Sequence, residues 1–152
     1  ALVALGDTTQ TEATAAIQSK KKNGSNPLPK SLDAWLRTIV KKGSKFTSLR
    51  IEDQHNVRKD VKRLRYCLEM CTGVVNKSAM SNLRPALEAA QEDLGELNDY
   101  YTAEILFQKM TEKQPQAWFA IGWLRAMQAQ KQKAAEMHFN LLNKAPRLAG
   151  KK

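Results

Sequence analysis

Hydrophobic residues recur along this chain at spacings of three and four positions, and no segment alternates apolar and polar residues over several positions. The spacing matches the period of an α-helix, whereas a half-buried strand needs a period of two. One stripe fills a sector of about 80° on a helical projection, and its members are Val57, Val61, Leu64, Leu68 and Cys71. The sequence therefore predicts an all-α fold, an antiparallel helical bundle.

Capping residues and helix breakers divide the first part of the bundle. Ser31 is a suitable N-cap for a helix with an apolar face around Leu36, and Gly43 would end that helix. A second helix is predicted from Asp53 to about Thr72. With shorter helices near the N-terminus, the pattern indicates about four main helices joined by short links, as in an up-and-down bundle.

The later helices are predicted from the same signals. One would begin at Ser81, with Pro85 in its first turn, and end at Gly95. Asn98 would cap the next one, with Tyr101, Ile105 and either Leu106 or Phe107 facing inward. A final long helix follows Pro115 and stops before Pro146. We predict a segment with a short helix and a loop over residues 1–30, followed by the bundle over residues 31–148.

Composition limits the setting of the chain. The longest apolar run, residues 118–124, is too short for the roughly 20 residues that span a bilayer, and no signal peptide precedes it, so a cytoplasmic protein is expected. Cys67 and Cys71 lie four residues apart on one predicted helix, which suits neither a disulfide nor a zinc site. We expect two buried thiols, and no metal or cofactor.

The formal charge of +10 is concentrated in one third of the chain. Residues 20–65 hold 14 Lys/Arg and 4 Asp/Glu, and the remaining residues hold 11 of each. The centre of this region is the stretch HNVRKDVKRLRY, in which Arg58, Lys62 and Arg65 share the face opposite the apolar stripe, beside His55. An ordinary solvated helix face is one interpretation of this row. A surface that binds a polyanion is the other.

The same stretch resembles the signature of the CHAD family, the conserved-histidine α-helical domain, in H-x-x-R-x-x-x-K-R-L-R-Y. Two weaker similarities follow in the family's order: Q-x-x-L-G-x-x-x-D at residues 91–99 and GWLRA at residues 122–126. The resemblance covers roughly residues 45–140. It implies half of a two-bundle CHAD domain, similar to the C-terminal half, in which basic helices line a positively charged groove.

The resemblance also implies a ligand and partners. CHAD domains are known as modules that bind inorganic polyphosphate and often follow a CYTH-type triphosphatase domain in the same bacterial polypeptide. An N-terminal half-domain or such a catalytic domain is therefore an expected partner. Carried over to this sequence, the residues expected to contact phosphate are His55, Arg58, Lys62, Arg63 and Arg65.

Two other classes of function stay open, namely a helical nucleic-acid-binding module and a structural half-domain that docks on a catalytic partner. The sequence contains no Gly-rich phosphate loop and no catalytic triad pattern, so we expect no enzyme in this segment. Arg125, His138 and the tryptophans are interpreted as structural residues. So are the clustered carboxylates, which could otherwise hold a metal ion: Glu88, Glu92, Asp93, Glu96 and Asp99.

Overall fold

The computed structural model describes residues 26–149, and in this range it contains four α-helices and no strand. The helices are α1 (Leu28–Gly43), α2 (Ile51–Met70), α3 (Lys77–Met110) and α4 (Ala117–Asn143). A single 3₁₀ turn, Phe46–Ser48, joins α1 to α2. The short helix and most of the loop predicted within residues 1–30 lie outside the described residues.

The four helices pack in a ring. Helix α1 contacts α2 and α4, α2 contacts α3, and α3 packs along α4, which is the most extensive of these interfaces. Short connections between consecutive helices produce this up-and-down order. The predicted all-α bundle is confirmed.

The core of the bundle uses the apolar stripes visible in the sequence. Val57, Val61, Leu64 and Leu68 of α2 are all buried, and only Cys71 at the end of the predicted stripe is half-buried. Helix α3 buries an apolar stripe of its own, formed by Leu83, Leu87, Ala90 and Leu94. With its stripe turned inward, α2 carries its basic residues on the outside of the bundle.

The predicted break at Gly95 is wrong, because α3 runs without interruption from Lys77 to Met110. Leu94 and Leu97 on either side of the glycine are buried in the core. This burial continues the apolar stripe through the glycine and outweighs the weak helix propensity of one residue. Asn98 is accordingly an interior residue of α3 and not a cap.

Alanine at position 95 is expected to stabilise the domain by about 0.5–1 kcal/mol, because Gly is that much worse than Ala inside a helix. A Cβ atom added to Gly95 would meet no other atom within 4 Å. Urea-induced unfolding followed by circular dichroism measures the change. If the helix ended at this glycine in a left-handed conformation, Gly95→Ala would instead lower the stability.

Two helix starts also differ from the prediction. Helix α1 begins at Leu28, three residues before Ser31, because the Asn26 side chain accepts a 3.0 Å hydrogen bond from the Leu28 amide. Pro29 near this start removes no hydrogen bond from the helix, since the first amides of a helix have no partner within it. Helix α2 begins at Ile51, which places Asp53 inside its first turn.

Helix α3 begins at Lys77, so the predicted start at Ser81 is wrong. Asn76 caps the helix by accepting a 3.1 Å hydrogen bond from the amide of Ala79. Pro85 therefore lies inside the helix and not in its first turn. Its exposed position keeps the ring outside the core.

Helices α3 and α4 extend beyond the rest of the bundle as a distal hairpin, residues 102–125. The 34 residues of α3 span about 51 Å, against about 30 Å for the 20 residues of α2. Ala117, Ile121 and Leu124 are buried within the hairpin, outside the main core cluster.

The distal hairpin exposes large apolar side chains that were expected to pack inside, although Phe107, the alternative to Leu106, is half-buried. Trp118 and Trp123 are 59% and 53% exposed, and Ile105 and Leu106 are 55% and 57% exposed. The hairpin has only two helices, so the outer flanks of each have nothing to pack against. No helix among the described residues is sufficiently long and apolar to cross a membrane.

Candidate anion-binding site

The first turn of α2 is held by a buried polar network around Gln54. Its amide nitrogen donates to the carbonyl oxygens of Phe46 and Leu49, both at 3.1 Å. Its amide oxygen accepts a 2.8 Å bond from the Tyr101 hydroxyl on α3, which in turn accepts a 2.7 Å bond from Gln132 on α4. Burial raises the pKa of Tyr101 above its usual value. The network therefore fixes α2 against two other helices directly beside His55.

Three of the five predicted phosphate-contacting residues form a row of unopposed side chains on α2. His55, Arg58 and Lys62 recur at spacings of three and four residues, which places them along one helix face. Within residues 26–149, no carboxylate lies within 4 Å of any of the three. We call His55, Arg58 and Lys62 the open row.

The other two predicted residues are opposed by carboxylates of their own helix. Arg63 lies 3.8 Å from Asp60, and Arg65 lies 3.6 Å from Glu69. Neither distance is short enough for a good hydrogen bond, so each pair is loose. The Nε atom of Arg65 is buried and has no hydrogen-bond partner among the described residues.

Tyr66 lies within the basic face and is 46% exposed. The guanidinium carbon of Arg65 is 5.3 Å from the centre of the Tyr66 ring, and the Lys62 amine is 6.0 Å from it. Both distances are in the range of cation–π attraction. An exposed aromatic side chain thus stands between two cations.

A groove of about 380 Å³ runs between α2 and α3 beside the open row. Ile51 and Ile105 line one end, and Tyr101 forms part of its wall. His55 and Arg58 line the side formed by α2. This groove could not be predicted from the sequence, because it depends on how α2 and α3 are placed relative to each other.

Comparison with known proteins identifies the family. The family model for the CHAD domain matches residues 3–108. This chain belongs to the CHAD family. The match includes the signature in α2 and begins well before the predicted similarity over residues 45–140, whereas the weak motif at residues 122–126 lies beyond it. No curated protein and no solved structure matches the chain.

In this CHAD domain two of the five clustered carboxylates of α3, Asp93 and Glu96, are partners for α4. Asp93 accepts a 2.7 Å bond from the Lys131 amine and lies 2.9 Å from His138 Nε2. Glu96 lies 2.8 Å from the same amine. These hydrogen bonds, that of Asp93 first, raise the pKa of Lys131. His138 is half-buried and paired, in agreement with its predicted structural role.

Arg125 also has a structural partner, as expected. It donates a 2.8 Å hydrogen bond to Glu104, which accepts another from Gln128 at 2.7 Å. The bond from Gln128, more than that from Arg125, lowers the pKa of Glu104. The Arg125 guanidinium is therefore already engaged by Glu104, and we do not count it among the anion-binding residues.

The side chains of the described CHAD residues offer no ready metal site. No three His, Cys, Asp or Glu residues between positions 26 and 149 lie close enough together to hold an ion. Cys67 and Cys71 are free thiols at the edge of the core. Both are half-buried, whereas buried thiols were predicted.

Proposed function

We propose that this CHAD domain binds inorganic polyphosphate, or a similar phosphate polyanion, through the basic face of α2. The observation that carries the proposal is the open row, in which His55, Arg58 and Lys62 have no carboxylate within 4 Å among the described residues. The Arg58 and Lys62 cations attract a polyanion without first having to break an ion pair, and the His55 ring adds a hydrogen-bond donor beside them. The CHAD family is itself associated with polyphosphate-related proteins.

The open row suits a linear ligand. The seven helical steps from His55 to Lys62 span about 10 Å, enough for several consecutive phosphates. Arg65 and Arg63 extend the row and widen it. Their carboxylate partners are loose and partly exposed, and such pairs contribute little in water. A phosphate group can therefore replace Glu69 or Asp60 at small cost.

The proposed role is that of an accessory module without catalysis of its own. The basic face carries phosphate-binding groups, while the nearest cluster of carboxylates, around Asp93, is engaged with Lys131 and His138. Chemistry on the polymer would then belong to a partner, and our proposal for it is a CYTH-type catalytic domain in the same cytoplasmic protein. An N-terminal half-domain is the other proposed partner.

Replacing Arg58 and Lys62 with alanine is expected to weaken binding of long-chain polyphosphate about tenfold near physiological salt, since an exposed charge contact contributes up to about 1 kcal/mol. The slope of log K against log salt concentration should become shallower by about 1 to 2, because two fewer counterions are released. Isothermal titration calorimetry at several salt concentrations measures both quantities. Adding Arg65→Ala should weaken binding further.

The matched control removes the same charge elsewhere. Lys109 and Lys113 lie near the tip of the distal hairpin and are exposed. Their double alanine variant should retain polyphosphate affinity within about threefold. Lys109 lies eleven residues, about 16 Å, along α3 from Asn98, which lines the groove together with Arg58, and this exceeds the Debye length of about 8 Å. Equal losses in the two double variants would refute the assignment to α2. Binding no tighter than that of heparin would favour a domain that docks on protein carboxylates.

A second candidate function is single-stranded nucleic-acid binding, and the exposed ring of Tyr66 favours it. Proteins that bind single strands combine a basic track with aromatic side chains on which bases stack. Tyr66 sits between Lys62 and Arg65 in this arrangement. Nucleic acid that displaces polyphosphate at equal phosphate concentration would support this function.

Tyr66→Ala separates the two candidates. Stacking of one base contributes about 1–3 kcal/mol, so a nucleic-acid module should lose about 5- to 100-fold in affinity for a single-stranded oligonucleotide. Polyphosphate has no base, and its affinity should change by less than about threefold. Fluorescence anisotropy with a labelled oligonucleotide, and competition by polyphosphate, measure both effects. We expect the variant to leave polyphosphate binding intact.

A further inference from the structure

We infer that the groove between α2 and α3 is a binding site for a small soluble amphiphile with an anionic head, such as a phosphomonoester or carboxylate on an apolar chain. This inference goes beyond polyanion binding, although the two sites share His55 and Arg58. Its first support is the shape of the groove. A volume of about 380 Å³ lies within the range of about 300–1,000 Å³ that is usual for small-molecule sites.

The lining of the groove changes character along its length. Ile51 and Ile105 line it near the first turn of α2, while Leu94 and Leu97, which are almost fully buried, lie two to three turns from Ile105 along α3. Arg58 lies seven residues further along α2, about 10 Å from Ile51. One end therefore presents two isoleucine side chains, and the other carries a half-buried guanidinium with no carboxylate within 4 Å among residues 26–149.

The charges along the rim orient the ligand. Glu52 lines the groove beside Ile51, so it repels a second anionic group at the apolar end. His55 and Arg58 attract an anion at the opposite end. Asn98 and Thr102 add uncharged polar groups along α3. A ligand with one anionic head and an uncharged chain fits this order, whereas a polyphosphate placed lengthwise in the groove would bring charge to Glu52.

The floor of the groove is already ordered. Gln54 and Tyr101, both of which line it, are joined by a 2.8 Å hydrogen bond and tied to Gln132. A preformed wall spares the ligand the cost of ordering side chains on binding. Ile105 is a large aliphatic residue that is 55% exposed, and the apolar chain of a ligand lying in the groove would cover it.

The test compares inorganic phosphate, n-butyl phosphate and n-octyl phosphate by titration calorimetry on the full chain, below the concentrations at which they form micelles. Each methylene between butyl and octyl should tighten binding about two- to fourfold, as expected for transfer of a methylene from water to an apolar surface. Equal affinities for the three compounds would overturn the proposal, because they would show a simple anion site. This series needs no variant.

Ile105→Asn provides the second arm, with Leu106→Asn as its matched control. The two positions are adjacent on α3 and almost equally exposed, but only Ile105 lines the groove. Ile105→Asn should weaken n-octyl phosphate binding about tenfold, and Leu106→Asn by less than twofold. Equal losses would indicate non-specific adsorption to the distal hairpin and overturn the site. Circular dichroism checks that both variants are folded.

Two further measurements separate this proposal from others. Ile105→Asn should leave polyphosphate affinity within twofold of the unmodified chain, so a failure of either ligand class is seen independently of the other. Sedimentation with vesicles of phosphatidic acid and phosphatidylcholine distinguishes a lipid headgroup from a soluble ligand. Vesicle binding that Ile105→Asn abolishes, without binding of n-octyl phosphate, would overturn the assignment to a soluble amphiphile.

Discussion

Gly43→Ala is expected to destabilise the domain by about 3 kcal/mol, at the upper end of the range for overpacked cores. A Cβ atom at this position would overlap Cγ and both Cδ atoms of the Phe139 ring. Phe139 is fully buried and stacks on Phe46 with ring centres 6.1 Å apart. The ring has no free space to move into, so α1 or α4 would have to shift.

Urea-induced unfolding measures this loss, and Gly73→Ala is its control, since a Cβ atom there would meet nothing within 4 Å. The double variant Gly43→Ala/Phe139→Leu should recover part of the stability, with a coupling energy of about 1 kcal/mol or more. A Gly43→Ala protein as stable as Gly73→Ala would contradict the packing of Phe139 against the end of α1. Phe46, on which Phe139 stacks, also lines the groove. Gly43→Ala should therefore also weaken n-octyl phosphate binding.

Asp33→Ala is expected to cost about 2–3 kcal/mol, the range for buried hydrogen bonds to a charged group. This carboxylate is buried on α1 and accepts hydrogen bonds from Arg147 and from the amide of Leu148. Arg37 adds a longer contact of 3.7 Å. Alanine would leave the buried amide of Leu148 without an acceptor.

Thermal and urea unfolding test this effect against Glu88→Ala. Glu88 forms an exposed pair with Arg84 at 3.1 Å, and loss of such a pair should change stability by less than about 0.5 kcal/mol. Asp33→Asn should lie between the two variants, since its amide oxygen can still accept one bond. If Asp33→Ala were as mild as Glu88→Ala, the segment after α4 would not be bound to α1 as the structure shows.

The sequence predicts the inward faces of the helices far better than their ends. The stripe from Val57 to Leu68 requires only that one side of a helix meets other helices, and helical period alone reveals it. The end of a helix depends on what its next turn packs against. Leu97 is buried by neighbouring helices, so α3 continues past Gly95, and a propensity scale contains no information on that contact.

In the candidate site, too, features within one helix could be predicted and features that depend on packing between helices could not. The basic row was predicted because all its members lie on one helix, where spacing fixes their directions. The partners of Arg63 and Arg65 could also have been found, since Asp60 and Glu69 stand three and four residues away on the same helix. The groove and the network from Gln54 to Gln132 join three helices, and the sequence does not specify how those helices are offset.

The way α1 is anchored has a consequence for the order in which the chain can fold. Arg37 donates to the carbonyl oxygens of Asn143 and Ala145, and Asp33 accepts from Leu148, over separations of 106 to 115 residues. The ribosome therefore completes α1 long before it makes the residues that hold it. During synthesis, the side of α1 that packs on α4 stays exposed or is covered by a chaperone. The bundle closes only after α4 and the following turn have emerged.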